Sequence, residues 1–147
     1  MTSGSLASKT IHELQALYAG KQASPEELLE DLLARIARLN PAVHAYIEPP
    51  DPERLRQQLK QQMAAAPNGR LRGIPITVKD NICSTGQEVG CGSRILKGFR
   101  SPYDATVIER LRAAGAVIVP RANMDEFAFG SSTENSAFGG TRNPRAT

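Results

Sequence analysis

Three observations predict an α/β fold with a helical front end. Ahead of Pro67-Asn-Gly69, apolar residues recur at helical spacing in three segments, each opened by a capping residue. From Ile74 to Val78 the period falls to two, and Ala116 to Val119 is apolar without a break up to Pro120. A helical pattern joins these two runs, and strand, helix, strand in that order is the right-handed βαβ crossover. Residues 1–70 therefore read as a mainly helical lead-in and 71–147 as the start of an α/β core.

Thr10-Ile-His-Glu13 is a capping box, in which Thr10 caps the first helix and Glu13 bonds back. Ile11, Leu14, Leu17 and Tyr18 follow at helical spacing, Gly20 suits the position after the helix, and His12 reads as solvated. Ser24-Pro-Glu-Glu27 repeats the device, with Pro25 first in the helix. Leu28, Leu29, Leu32, Leu33, Ile36 and Leu39 form the apolar stripe, which Asn40-Pro41 is expected to end. Val43 to Ile47 alternates like a short strand, with His44 and Tyr46 on one face. Asp51-Pro-Glu53 opens a surface helix carrying Leu55, Leu59 and Met63. Asn81 to Tyr103 shows scattered Gly and no sustained period, and a loop that long inside a compact domain usually serves function. Asp104 should cap the next helix, with Val107, Ile108, Leu111 and Ala114 inward, Glu109, Arg110 and Arg112 in water, and Gly115 closing it. Asn123 to Phe129 reads as a short helical turn past the second strand, and Gly130 to Gly140 as a polar loop.

With 147 residues the chain can bury a core, and at 5% aromatic with no Trp that core is aliphatic. The net charge of +3 is mildly basic, and Lys and Arg never run in a block, so contact with RNA is permitted but not argued for. No apolar segment has membrane-helix length, and Met1-Thr-Ser-Gly-Ser5 lacks a signal pattern; a cytoplasmic location, or an organellar one in a eukaryote, is expected. Cys83 and Cys91 match no zinc spacing and are expected to be reduced thiols. Neither a G-x-G-x-x-G, a G-x-x-x-x-G-K-[ST] nor a G-x-S-x-G pattern occurs, so dinucleotide, P-loop and nucleophile-elbow chemistry are not indicated.

Two strand ends carry what chemistry the residues show. Gly73-Ile-Pro-Ile-Thr-Val-Lys-Asp-Asn81 is an apolar strand that ends in Lys79. A lysine held there can lose hydration, which lowers an amine's pKa toward that of a useful base. The same nine residues equally describe a surface Lys–Asp pair. Past the second strand lies the loop that opens Gly130, Ser131, Ser132, Thr133. The combination suits lysine activation of a hydroxyl, with backbone N–H groups of the loop holding an oxyanion. Ser131 and Ser132 are hydroxyls of the right kind, and equally residues that orient a substrate or cap a turn. Both histidines lie outside these features, so a Ser-His-Asp triad is not expected.

L-R-G-I-P-I-T-V-K-D-N, P-Y-D-A-T-V-I-E-R-L-R-A-A-G-A-V-I-V and N-M-D-E-F-A-F-G-S-S-T-E-N-S-A-F-G-G-T-R-N-P together resemble the amidase signature family. The resemblance is strong from Leu71 onward and looser over the N-terminal helices, and the third block is the more selective, resembling the tRNA-dependent amidotransferase branch. It implies that the chain is the N-terminal portion of a single amidase domain, a mixed β-sheet sandwiched by helices. It also implies a Ser-cisSer-Lys triad in which Lys79 is the base. In the family the cis serine (in G-G-S-S-G-G-S) and the nucleophile (in D-T-G-G-S) follow the N-P motif, so both are expected beyond Thr147. The 147 residues alone are then expected to be inactive. Neither Ser131 nor Ser132 matches the nucleophile; Gly130, Ser131, Ser132 and Thr133 match a loop that lines the substrate pocket.

For the whole protein, that branch implies hydrolysis of glutamine and delivery of ammonia to a partner that converts Glu-tRNA(Gln) to Gln-tRNA(Gln). The implied partners are the B- and C-type amidotransferase subunits. ATP and Mg²⁺ are used by the partner, and no cofactor is expected on this chain. A stand-alone amidase of the same family and a non-catalytic α/β interaction module are the competing readings.

Overall fold

The computed structural model describes residues 4–145. Helices α1 (Ile11–Ala19), α2 (Pro25–Val43) and α3 (Pro52–Ala65) come first, followed by β1 (Pro75–Lys79), α4 (Thr106–Ala113) and β2 (Val117–Ala122). Short 3-10 turns lie at Leu6–Ser8 and Glu126–Ala128. Both capping boxes form: the Glu13 carboxylate accepts the Thr10 N–H at 2.7 Å, and Glu27 accepts the Ser24 N–H at 2.8 Å. Asp51 caps α3 through the Arg54 N–H.

β1 and β2 pair in parallel, as the crossover requires, with Pro75 opposite Val117. Thr77 faces Val119 but Lys79 faces Ala122, so β2 carries one extra residue there. Pro120 falls in this bulge; it has no N–H and therefore loses no ladder bond. Val117 and Val119 pack on Leu29 and Leu33 of α2 and Leu55 and Leu59 of α3. Ile118 points the other way, onto Val78 and Ile108. β2 is covered on both faces, which is why its sequence is apolar without alternation. α1 docks through Leu14 on Leu28 and Ile74.

Several local expectations give way to longer-range contacts. α2 does not stop at Asn40-Pro41 but runs on to the buried Val43, with Pro41 inside its last turn. His44 ends it in the left-handed conformation (φ 54°), so the strand expected over Val43–Ile47 shrinks to one antiparallel bridge, Tyr46 to Ala122. The Asn40 amide replaces the missing ladder, accepting the Tyr46 N–H at 2.9 Å and donating to its carbonyl at 3.1 Å. After α1 the left-handed residue is Lys21 (φ 53°), while Gly20 keeps φ −79°. Ile76 and Val78 share the face of β1 that packs on Ile118 and Ile108, as the alternation implies; Ile74 lies just ahead of the strand, and Ile76 also reaches the cluster that Ile74 forms with Leu14 of α1 and Leu28 of α2.

Asp104 does not cap α4, whose N-cap is Ala105. Its carboxylate accepts the Thr85 N–H at 2.6 Å and pairs with Arg112 of α4, so it ties the helix to the preceding loop. Its own burial opposes ionisation, yet Thr85 and Arg112 hold the carboxyl below the usual carboxylate range. That draws Arg112 out of water, and it is Val107 that is exposed. The loop between β1 and α4 is not structureless either. Val89 donates to the Phe99 carbonyl and Ser101 to the Gln87 carbonyl, a short hairpin-like pairing.

Candidate active site

The register sets Lys79 opposite Ala122, the last residue of β2. Both chains thus leave the sheet at its C-terminal edge, where open α/β sheets place ligands. Lys79 is exposed, and among the described residues its amine has no hydrogen-bond or ion-pair partner. The dehydrated strand end expected from the sequence is not built by these residues: the strand is packed, but the lysine lies in water.

Burial falls on its neighbour instead, because successive strand residues point to opposite sides. Asp80 is fully buried. Its carboxylate accepts the Gly90 N–H at 3.2 Å and the Gly92 N–H at 2.8 Å, and pairs with Arg121. Its backbone N–H donates to Ala122, and its carbonyl accepts from Cys91. A buried carboxylate needs this compensation. The same bonds fix the exit of β1, and with it the backbone that carries Lys79. Cys83 and Cys91 are free and half-buried; burial, and then the charge of Asp80, push the Cys91 thiol up.

The exit of β2 is built on two further side chains. Asn123 donates to the Gly139 carbonyl at 2.7 Å and accepts from Met124 N–H at 2.9 Å and Ser136 Oγ at 2.6 Å. Asp125, only 3% exposed, accepts the N–H groups of Ser132 (3.0 Å), Thr133 (2.8 Å) and Asn135 (2.9 Å). The Asn135 and Thr133 N–H groups, against the opposing effect of burial, hold its carboxyl below the usual range, with Ser132 adding to them. A side chain at Gly130 would begin 2.5 Å from the Asp125 carboxyl carbon, so only glycine fits there. The two loops are one body: Phe127 N–H reaches the Cys91 carbonyl at 2.8 Å, and Ala137 N–H the Gly92 carbonyl at 2.9 Å. The helical turn expected over Asn123–Phe129 is a single 3-10 turn distorted by a left-handed Phe127 (φ 50°).

Gly130, Ser131 and Ser132 are exposed and Thr133 is half-buried. The Ser132 and Thr133 N–H groups are engaged by Asp125, which corrects the expectation that the loop's backbone amides stand open to an oxyanion. Gly130 and Ser131 make no hydrogen bond among the described residues and face solvent. No hydrogen bond or ion pair among those residues joins Lys79 to Gly130–Thr133; they share an edge of the sheet through β2. Sequence reasoning passed over Asn123 and Asp125 and read Asp80 only as a surface partner of Lys79, whereas it is buried and pairs with Arg121. The available signal was an Asx residue set just ahead of a Gly/Ser-rich loop, where its short side chain can bond the loop backbone. Among the described residues no group of three or more His, Cys, Asp or Glu could hold a metal, and no helix is long and apolar enough to cross a membrane.

A family model described as Amidase matches residues 27–147. The A-type subunit of the glutamyl-tRNA(Gln) amidotransferase of Symbiobacterium thermophilum is 51% identical over 135 residues, covering 89% of this chain and 28% of that protein. Its counterpart of the same name from Methylacidiphilum infernorum is 48% identical, over 92% of this chain and 26% of its own length. Among solved structures, the A-type amidotransferase subunit of Thermotoga maritima superposes with a TM-score of 0.76 at 38% identity, covering 98% of this chain and 29% of that one. A 6-aminohexanoate cyclic dimer hydrolase superposes at 0.81 with 30% identity, covering 92% of this chain and 28% of that one. The chain therefore spans less than a third of the length of these relatives. With four-fifths of its residues inside the family match and its crossover superposing on solved members, this chain belongs to the amidase family.

Proposed function

We propose that this chain is the N-terminal part of a glutaminase similar to the A-type subunit of glutamyl-tRNA(Gln) amidotransferase. The observation that carries the reading is Lys79: an amine without a partner among the described residues, at the C-terminal edge of β1, beside an Asp80 that absorbs the surrounding donors. In the whole protein Lys79 is the base that takes a proton, through a serine relay, from a nucleophilic serine. An acyl-enzyme forms with release of ammonia, and water then frees glutamate. Gly130, Ser131, Ser132 and Thr133 form the wall against which the amide is oriented. The relay and nucleophile belong to sequence outside these residues, as does the packing that dehydrates the lysine.

The ammonia passes to B- and C-type subunits that amidate Glu-tRNA(Gln); ATP and Mg²⁺ act on the partner, and this chain binds no cofactor. The location is cytoplasmic, or organellar in a eukaryote. The identity to A-type subunits over nine-tenths of the chain supports this branch. The TM-score of 0.81 against a cyclic dimer hydrolase favours a second reading, a stand-alone amidase acting on another amide.

The test is glutamine hydrolysis by the full-length protein with its partner subunits. Lys79→Ala is expected to lower kcat by at least roughly 10²–10⁴, and more if the triad acts as a unit. Lys79→Arg fails as well, because arginine keeps its proton near neutral pH. Near wild-type activity in the arginine variant rejects the base assignment. Hydrolysis of other amides but not glutamine by the wild type selects the second reading, and no amide hydrolysis at all selects a non-catalytic interaction module.

A further inference from the structure

We propose that Asp125 is the positioning residue of the Gly130–Asn135 loop, holding its backbone so that Gly130 and Ser131 stay free to meet the substrate. The proposal rests on the reading of that loop as the substrate wall.

Gly130, Ser131 and Ser132 are all exposed, so no apolar packing sets the path of the chain there. The path nevertheless contains conformations that a free chain avoids. Thr133 is left-handed at φ 65°, unusual for a β-branched residue, and Phe127 and Ala128 just ahead are left-handed too. Such a turn persists only where something over-determines it. Asp125 does so, since the three backbone donors it accepts lie in this one loop, and among the described residues it has no Lys or Arg partner. The hydrogen bonds of this buried carboxylate are all directed to a single segment. The close approach of Gly130 seats the loop's entry on the same carboxyl group.

The donor pattern makes the charge state matter. Oδ2 takes both Ser132 and Thr133, and Oδ1 takes Asn135. An asparagine offers one oxygen and one NH₂, which is a donor. Either flip therefore sets N–H against N–H, at Asn135 or at the Ser132–Thr133 pair. Asp125→Asn keeps the volume and must release part of the loop. Asp125→Glu keeps both oxygens, one methylene further out. Asp125 touches no reacting atom, and its effect on turnover passes entirely through the loop.

The experiment uses the full-length protein with its partner subunits. Steady-state kinetics with glutamine are combined with labelling by a small fluorophosphonate and amide hydrogen exchange. Losing a hydrogen bond to a charged group is worth about 10- to 100-fold. Asp125→Asn is therefore expected to raise KM by that factor, with kcat falling less. The rate of fluorophosphonate labelling, which needs the serine machinery but not the amide wall, stays near wild type. Protection of the Ser132, Thr133 and Asn135 amides drops while that of β1 and β2 remains, and Asp125→Glu recovers part of both effects. An unchanged KM, or loop amides still protected, overturns the proposal. So does loss of labelling together with protection across the whole protein, which would make Asp125 a support of the fold. If Asp125→Asn does not fold, Asp125→Glu decides by the same readouts. Failure of the functional reading shows separately, in a wild-type protein that hydrolyses no glutamine; loop exchange then still decides whether Asp125 holds the loop.

Discussion

Lys79 and Asp80 are adjacent in the chain and opposite in environment, one in water and one fully buried. The buried member reaches Arg121, forty-one residues on, and Arg121 reaches Glu48 at 3.7 Å. Most of the worth of such a pair lies in not leaving one partner alone. Arg121→Ala strands Asp80 without its cation and is expected to cost about 3–5 kcal/mol, read as a lower urea midpoint for the full-length protein. Asp80→Asn on top of it should cost much less than the two single changes summed, since contacting residues are not additive. A loss below about 1 kcal/mol in Arg121→Ala, within reach of a surface pair, would show that the two N–H donors of Gly90 and Gly92 suffice.

The helices and strands hold still what the loops present. α2 and α3 cover one side of β2 and α4 the other, so its C-terminal end is rigid where the loop begins. From there the loop is built of polar bonds: Asp125 clamps its first half, Asn123 its second, and Thr141 N–H returns to Thr133 Oγ1 at 2.7 Å. Ser131 lies outside these clamps, exposed and unbonded among the described residues. Ser131→Ala should leave the loop intact and lower glutamine turnover while the full-length protein still takes up a serine-directed acylating inhibitor. Loss of labelling in that variant would identify Ser131 as the nucleophile instead.

Among the described residues the sheet has two strands, and each keeps an outer edge, covered on β2 only by the Tyr46 bridge. Two-stranded sheets are marginal alone, and open edges invite pairing. Large apolar side chains stand in water as well: Phe129 is 93% exposed and Ile95 79%. Leaving some 400 Å² of apolar surface uncovered forgoes about 10 kcal/mol at roughly 25 cal/mol per Å², comparable to the whole stability of a domain. Expressed alone, residues 1–147 are expected to hydrolyse no glutamine, to bind a hydrophobic dye and to unfold over a broad urea range, with the N-terminal helices best protected. A sharp transition in a monomer with well-protected Val117–Val119 amides would favour a self-sufficient interaction module.

Caps and apolar periods were legible in the chain because each depends on residues within one or two turns of one another, and the crossover followed from the order of those patterns. Thr10 with Glu13 and Ser24 with Glu27 are three apart and form as read. β2, covered on both faces as its composition implied, pairs in parallel with β1. Where reading failed, a distant partner outweighed a local preference. Asp104 gave up the cap of α4 for Thr85, nineteen residues back, and Pro41 was carried into α2 because burying Val43 continues the core. The candidate site divides the same way. Lys79 and the Gly130–Thr133 loop stand out as residue types at strand ends, but the buried carboxylates that position them do not. An aspartate that closes a turn and one exposed to water look alike in sequence; burial and the direction of surrounding N–H groups distinguish them, and both arise only when segments far apart in the chain pack together.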